Sequence, residues 1–199
     1  MTKNPTRGHR QPSTEEEIRA STVGDLQPHA APITLVDYDP AWPAMFARED
    51  RRIRAALGQK VVRLEHTGST SVPGLAAKLC IDMTMVVPNS ADEDDYVPAL
   101  EAAGYTLRIR EPDWHEHRCF KGPDTNVNLH VFSPGSVELE RMVGFRDWLR
   151  THDDDRELYE RTKRELATRE WQFVQNYSDA KTNVVEEIIA RAGLPAGTA

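Results

Sequence analysis

The sequence predicts an α+β fold, in which a sheet of four or five strands is flanked by helices and three helices close the chain. Two observations predict it. The run from Leu79 to Val87 is almost continuously apolar, which is typical of a central strand covered on both faces. Helix-period patterns stand before and after a group of short strand-like segments, and this order of elements is that of an α+β domain.

The N-terminal part of the chain gives the first boundary. Residues 1–30 combine Pro, Gly, Ser, Thr and charge with little apolar periodicity, so we expect a flexible tail there and a folded domain over residues 31–195. The domain is expected to open with a short β-rich run from Ile33 to Val36. An amphipathic helix from about Trp42 to Leu57 follows, and Gly58 ends it.

Turn and capping residues predict the remaining elements. Ser90 and Glu93 have the spacing of a capping box, which predicts a helix from about Ala91 to Ala103. The other strands are predicted at Val61 to Glu65, Tyr105 to Ile109, His117 to Lys121 and Asn126 to Phe132. The closing helices are predicted at about Ser136 to Arg150, Asp153 to Trp171 and Asp179 to Ala192.

Composition excludes several classes of protein. The 199 residues are 39% hydrophobic and 29% charged, as in an ordinary globular domain, and no stretch approaches the roughly 18 to 20 apolar residues of a membrane span. The N-terminus lacks a secretory signal pattern, so we expect a cytoplasmic protein. A net charge of −7 disfavours a broad nucleic-acid surface but leaves room for a small anionic ligand at a local basic cluster. Cys80 and Cys119 are expected to be buried free thiols.

A segment of small polar residues, from Gly68 to Ser71, lies between two predicted strands. Its backbone N–H groups and hydroxyls can converge on phosphate oxygens without a large side chain in the way. Gly68, Ser69 and Thr70 are therefore candidate phosphate-binding residues. The alternative is a tight structural turn, with Gly68 and Gly74 at positive φ.

Strand alternation points to a polar patch next to this segment. Asp82 and Thr84 face one side of their strand, and Asn128 and His130 face one side of theirs. If the two strands are neighbours, Asp82 and His130 share that patch. An aspartate in so apolar a strand is costly to desolvate unless it is paired, hydrogen-bonded or bound to a metal. This favours a site role over a purely structural pairing.

One long motif resembles a known family. The string from Glu65 to Lys78, followed by Ile81-Asp82, is very similar to the signature of the GrpB family, and Asp37 to Pro43 resembles its opening. Later blocks around Arg118, Leu129 and Phe145 also look like those of the family. The resemblance spans about Ile33 to Ala192.

The resemblance implies a nucleotidyltransferase-like mixed sheet. The hallmark of that superfamily is a Gly-Ser turn, two carboxylates one residue apart on the next strand and a third on a neighbouring strand, because two divalent cations are bridged there. Gly68, Ser69 and Asp82 match this pattern, whereas Thr84 takes the second carboxylate position. The third falls at Asn128 or His130, which resemble the family's histidine cluster only in part. One Asp and one His would hold a single Mg²⁺, Mn²⁺ or Zn²⁺, or none.

Basic residues matching the family's blocks complete the expected site. Lys78, Arg118 and Lys121 flank the polar strands and are the favoured phosphate ligands. Two lysines in the predicted C-terminal helices, Lys163 and Lys181, rank lower.

Three functions are compatible with these residues. The resemblance favours a nucleotidyltransferase that binds a nucleoside triphosphate and a small acceptor, with Asp82 and His130 as the catalytic residues sharing a divalent metal, Mg²⁺ or Mn²⁺. The alternative is a non-catalytic module that binds a phosphorylated metabolite, a nucleotide or a coenzyme A precursor, since a related domain is joined to dephospho-coenzyme A kinase in some bacteria. Phosphoester hydrolysis at a His-Asp metal site is the third, and it has few ligands in the sequence.

Overall fold

The computed structural model describes residues 12–28 and 32–197. Its strands are β1 (Arg63–Thr67), β2 (Ile81–Val86), β3 (Thr106–Glu111), β4 (His117–Lys121) and β5 (Val127–Phe132). Its helices are α1 (Glu15–Ser21), α2 (Trp42–Leu57), α3 (Glu93–Ala102), α4 (Val137–Thr151), α5 (Asp153–Ala167), α6 (Val174–Ala180) and α7 (Thr182–Arg191).

The strands form one mixed sheet in the order β1-β2-β5-β4-β3. The central pair, β2 and β5, runs parallel, whereas the β1–β2, β4–β5 and β3–β4 pairs are antiparallel. The predicted α+β class and the mixed five-stranded sheet are thus confirmed. None of the helices in the described part combines the length and apolarity needed to span a bilayer.

One face of the sheet carries the main hydrophobic core. Met83, Met85 and Leu129 are fully buried there and pack in one cluster with side chains of α2 and α3. Helix α2 forms as predicted, because its apolar residues Trp42, Ile53 and Leu57 lie at helical spacing on its buried side. Its end at the following glycine also agrees with the sequence.

The opposite face of the sheet is polar at its centre and is covered in part by the C-terminal helices. Met142 of α4 packs over Thr84 of β2. A second apolar cluster joins Leu75, which follows the Gly68–Ser71 segment, to Leu149, Tyr159 and Ile188 of α4, α5 and α7. These helices therefore fix the position of the Gly68–Ser71 segment.

Several predicted elements differ from the structure. Residues 12–28 are not the flexible tail that the sequence predicts, because Thr14 caps α1 and the Ser13 N–H donates to Asp179 of α6 at 2.8 Å. Residues 1–11 lie outside the described residues. The expected strand from Ile33 to Val36 is reduced to a single bridge between Val36 and Ala77.

The predicted capping box and the final helices are also corrected. Ser90 does not cap α3; its hydroxyl pairs with Ser133 at 2.9 Å, and the helix starts only at Glu93. Helix α5 ends at Ala167 rather than Trp171, and the last predicted helix is preceded by the separate short helix α6. Four closing helices stand where three are predicted. The expectation that both cysteines are buried and free is confirmed.

Candidate functional site

The Gly68–Ser71 segment forms a tight bend between β1 and β2. Gly68 has φ +65°, and a 3-10 turn covers Ser69–Ser71. The Ser71 hydroxyl donates to the Gly68 carbonyl at 2.6 Å, and Arg150 of α4 donates to the Ser71 carbonyl at 2.7 Å. The bend is therefore fixed from within and from α4.

Asp82 lies directly beneath the bend. Its strand partner in β1 is Thr67, the residue before Gly68. A Cβ atom on Gly68 would stand 2.4 Å from Asp82 Oδ2, which is far inside van der Waals contact. Glycine is thus required at position 68 both for the left-handed backbone and for the close approach of the carboxylate.

The predicted neighbourhood of Asp82 and His130 is confirmed, because β2 and β5 pair directly. Asp82 aligns with Asn128 and Thr84 aligns with His130, which puts all four side chains on one face. Each of the two candidate ligands nevertheless has another partner. Asn128 Nδ2 donates to Asp82 Oδ1 at 2.7 Å, and His130 Nδ1 lies 2.9 Å from His117 Nε2.

Lys163 of α5 reaches the bend from the helix layer. It is 2% exposed, and its Nζ donates to Ser69 Oγ at 3.0 Å and to the Ala76 carbonyl. Tyr159, one turn earlier, has the Lys163 ammonium 4.7 Å from its ring centroid. Burial lowers the pKa of Lys163 to about 7, so its charge responds to an anion placed nearby.

Lys78 and Lys181 approach a shared aromatic ring. Their ammonium groups lie 5.4 and 4.7 Å from the centroid of Tyr177. Burial lowers the pKa of both lysines, and the carboxylate of Asp82 opposes that shift in each. Lys121 joins the group through Asn128, to which it donates at 2.6 Å.

Around Asp82 lie four lysines, which together form the lysine cluster: Lys78, Lys121, Lys163 and Lys181. Its four basic side chains outnumber the three carboxylates that act on them, those of Asp82, Glu160 and Asp179. In a chain with a net charge of −7, this makes the neighbourhood of the bend locally positive.

The donor set does not fit the two-cation centre implied by the family resemblance. No group of three or more His, Cys, Asp or Glu side chains in residues 12–28 and 32–197 is placed to hold a metal ion. Thr84, at the second carboxylate position, is fully buried and bonded to Thr67 and Met142. The lysine cluster also opposes a second cation beside Asp82.

Two predicted phosphate ligands point elsewhere. Arg118 is buried on the α3 side of the sheet, where its guanidinium pairs with Glu93. The Thr70 hydroxyl lies 3.0 Å from Nε2 of His66, whose ring stacks on Phe46. Burial lowers the pKa of His66 to about 4. The structure therefore groups Gly68, Ser69, Lys78, Lys121, Asp82 and His130 on one side and leaves Arg118 and the Thr70 side chain outside.

Sequence reasoning undervalued the helical residues of the site. A lysine in a helix usually belongs to a solvated face, so Lys163 and Lys181 ranked below the strand-flanking bases. A signal for Lys163 was nevertheless present: Tyr159, Lys163 and Leu166 have the spacing of one helix face, and all three are buried.

Shallow depressions of the surface lie elsewhere. One of about 510 Å³ runs along α5 between Arg156, Glu160 and Arg164. Its acidic and basic side chains alternate, and Glu160 and Arg164 pair with each other at 2.8 Å. Such a lining is typical of a solvated helix face, whereas basic side chains outnumber acidic ones around the bend.

Comparison with known proteins agrees with this architecture. Residues 32–191 match the family model described as GrpB protein. A UPF0157 protein of Halalkalibacterium halodurans is 61% identical over 91% of this chain and 93% of its own length, and one of Streptomyces coelicolor is 46% identical over 83% and 87%. A dephospho-CoA kinase of Mycolicibacterium paratuberculosis is 32% identical over 75% of this chain but only 43% of its own length.

A solved structure extends the likeness to the fold. The crystal structure of the conserved protein GrpB from Enterococcus faecalis superposes with a TM-score of 0.69 at 25% identity, covering 79% of this chain and 98% of that chain. The family model spans most of the chain and includes the bend, Asp82 and all four lysines. The chain belongs to the GrpB family.

Proposed function

We propose that this protein binds a phosphorylated small molecule, a nucleotide or a coenzyme A precursor, where the Gly68–Ser71 bend meets the lysine cluster. The observation that carries the proposal is the excess of positive charge: four lysines outnumber the carboxylates that act on them, those of Asp82, Glu160 and Asp179. They lie under a bend whose Ser69 hydroxyl is already bonded to Lys163. Ammonium groups, hydroxyls and backbone N–H groups are the usual ligands of phosphate.

The energetics of the unliganded cluster support the proposal. Burial of Lys163 and Lys181 disfavours their charged forms, and a bound phosphate offsets that penalty. The buried hydroxyl of Tyr177, on the ring approached by Lys78 and Lys181, has no hydrogen-bond partner among the described residues. An unpaired buried hydroxyl costs free energy that a ligand oxygen or a water would recover.

The choice of ligands to test follows from the comparisons. One relative is named a dephospho-CoA kinase, and the present chain matches less than half of it. Coenzyme A precursors therefore belong beside ATP and GTP in a binding panel.

Isothermal titration of the full chain with ATP, GTP, dephospho-CoA and 4′-phosphopantetheine tests the proposal. Each titration is run in EDTA and again with Mg²⁺ or Mn²⁺. We expect at least one compound to bind in EDTA, and the double variant Lys163→Met, Lys181→Met to weaken its binding by at least about 100-fold, the weight of two charge-assisted hydrogen bonds. Lys60→Met, an exposed control, leaves binding unchanged. Equal affinity in the double variant and the wild type would refute the site.

Nucleotidyl transfer is the second candidate. One observation favours it: Asp82 stands beneath the Gly-Ser bend as in the superfamily pattern, with His130 on the adjacent strand. Pyrophosphate release from a nucleoside triphosphate, dependent on Mn²⁺ or Mg²⁺ and lost in Asp82→Asn, would support it. Metal-independent binding without turnover supports the binding module instead.

A further inference from the structure

Three ionisable side chains form a hydrogen-bonded line across the polar face of the sheet. Glu111, the last residue of β3, places Oε2 2.7 Å from His117 Nδ1. His117, the first residue of β4, places Nε2 2.9 Å from His130 Nδ1 on β5. The two imidazole rings are stacked, with centroids 5.1 Å apart and planes 19° apart. Three different strands thus contribute to one line.

The carboxylate at one end determines where the protons lie. An ionised Glu111 only accepts hydrogen bonds, so His117 Nδ1 carries the proton of the first contact. In a neutral His117 the other nitrogen, Nε2, is then an acceptor. His130 must therefore donate through Nδ1, which leaves Nε2 of a neutral His130 unprotonated.

The far end of the line lies beside the proposed ligand site. His130 stands two residues beyond Asn128, the strand partner of Asp82, on the same face. Its imidazole is half-buried, whereas His117 is only 3% exposed. Burial and the neighbouring His117 lower the pKa of His130 to about 4, while Asp82 acts in the opposite sense. The geometry and the charges both favour a neutral ring with one lone pair available.

We propose that Glu111 and His117 hold His130 as a fixed proton acceptor at Nε2, and that the ligand presents a hydrogen-bond donor there, a hydroxyl group, next to its phosphates. Glu111 and His117 are positioning residues, since they act through His130. The part concerning the ligand rests on the proposed function. The part concerning the tautomer does not, so the two are tested separately.

Nitrogen-15 NMR of the histidine-labelled full chain at pH 8 tests the tautomer without any ligand. We expect His130, assigned through His130→Phe, to carry its proton on Nδ1 and none on Nε2. In Glu111→Ala the line loses its acceptor, and His130 should populate both tautomers. Asp113→Ala, an exposed change in the same hairpin, should keep the wild-type pattern. A proton on Nε2 of His130 in the wild type would overturn the proposal.

Titration calorimetry in EDTA tests the ligand. ATP carries sugar hydroxyls, whereas inorganic triphosphate offers the phosphates alone. We expect Glu111→Ala and His130→Phe to reduce the preference for ATP over triphosphate by about 3- to 10-fold, the weight of one hydrogen bond. The control variant Asp113→Ala should keep the wild-type preference for ATP. An unchanged preference in both site variants refutes the ligand part. If neither compound binds the wild type, the proposed function fails for this ligand class, and the NMR result still decides the tautomer.

Discussion

Gly68 shows how a single residue links backbone conformation to the site. Its φ of +65° is one that residues with a Cβ rarely adopt, and its missing side chain admits the carboxylate of Asp82. Gly74 also has positive φ, at +78°, but nothing lies within 4 Å of its would-be Cβ. A comparison of the two positions therefore separates the cost of a left-handed backbone from the cost of a steric clash with Asp82.

Alanine substitutions at these glycines test that separation. Gly74→Ala should cost about 1 to 2 kcal/mol of unfolding free energy, the usual penalty of a left-handed backbone. Gly68→Ala should cost at least about 1 kcal/mol more, because Asp82 must also move. Urea denaturation of both variants measures the difference. Equal losses would mean that Asp82 does not approach Gly68 as described.

Lys163 links the stability of the protein to pH. Burial sets its folded pKa at about 7, below the value of 10.5 in an unfolded chain. Between these two values the unfolded state binds more protons, so this group makes stability rise with pH. Below pH 7 both states are protonated and the full penalty of burying the charge remains.

The variant Lys163→Met should remove this dependence. In the wild type the group contributes up to about 1.4 kcal/mol per pH unit between pH 7 and 10. Urea denaturation at a series of pH values should show a smaller positive slope in Lys163→Met, and the wild-type slope in the exposed control Lys60→Met. A slope that does not change in Lys163→Met would place the folded pKa of Lys163 near its ordinary value.

Between elements, a buried carboxylate ties α2 to the far end of the sheet. Glu49 of α2 is fully buried and accepts hydrogen bonds from the hydroxyls of Tyr105, at 2.6 Å, and Thr125, at 2.9 Å. Tyr105 precedes β3 and Thr125 precedes β5. A buried charge needs such partners, because its desolvation is otherwise uncompensated.

Removing one of these partners should loosen the contact. Tyr105→Phe keeps the ring but leaves Glu49 with one donor fewer, which should cost about 1 to 3 kcal/mol in thermal or urea unfolding. The matched control is Tyr38→Phe, where the ring is half-exposed and packs edge-on against Trp42. Similar stability of the two variants would contradict a tight Glu49–Tyr105 bond.

At the level of the whole molecule, local sequence patterns predicted most of the fold. The apolar run of β2 and the helical spacing of α2 are local signals, and both elements formed where they were expected. The N-terminal helix was missed although Thr14 and Glu17 form a capping box, which is a local signal. The contacts of Ser13 with Asp179 and of Ser90 with Ser133, by contrast, join residues far apart in the chain. Propensity and capping rules contain no information about such contacts.

The site was predicted less completely than the fold. Gly68, Ser69, Asp82 and His130 followed from motif and strand alternation, and the structure brings them together on one side of the sheet. Arg118 lies apart from them, because it is three residues from Lys121 in β4 and this odd spacing puts the two side chains on opposite faces. The Glu111–His117–His130 line could not be foreseen, since it needs the order of three strands.

Phosphate binding by the lysine cluster is what the proposed function requires. A crystal structure of the protein soaked with the tightest-binding phosphorylated compound and Mn²⁺ tests it most directly. We predict a phosphate oxygen within about 3 Å of Lys163 Nζ and Ser69 Oγ, the distance of an ordinary hydrogen bond, and no paired manganese signal at Asp82. Phosphate density at a distant surface, or two manganese ions bridged by Asp82, would contradict the account.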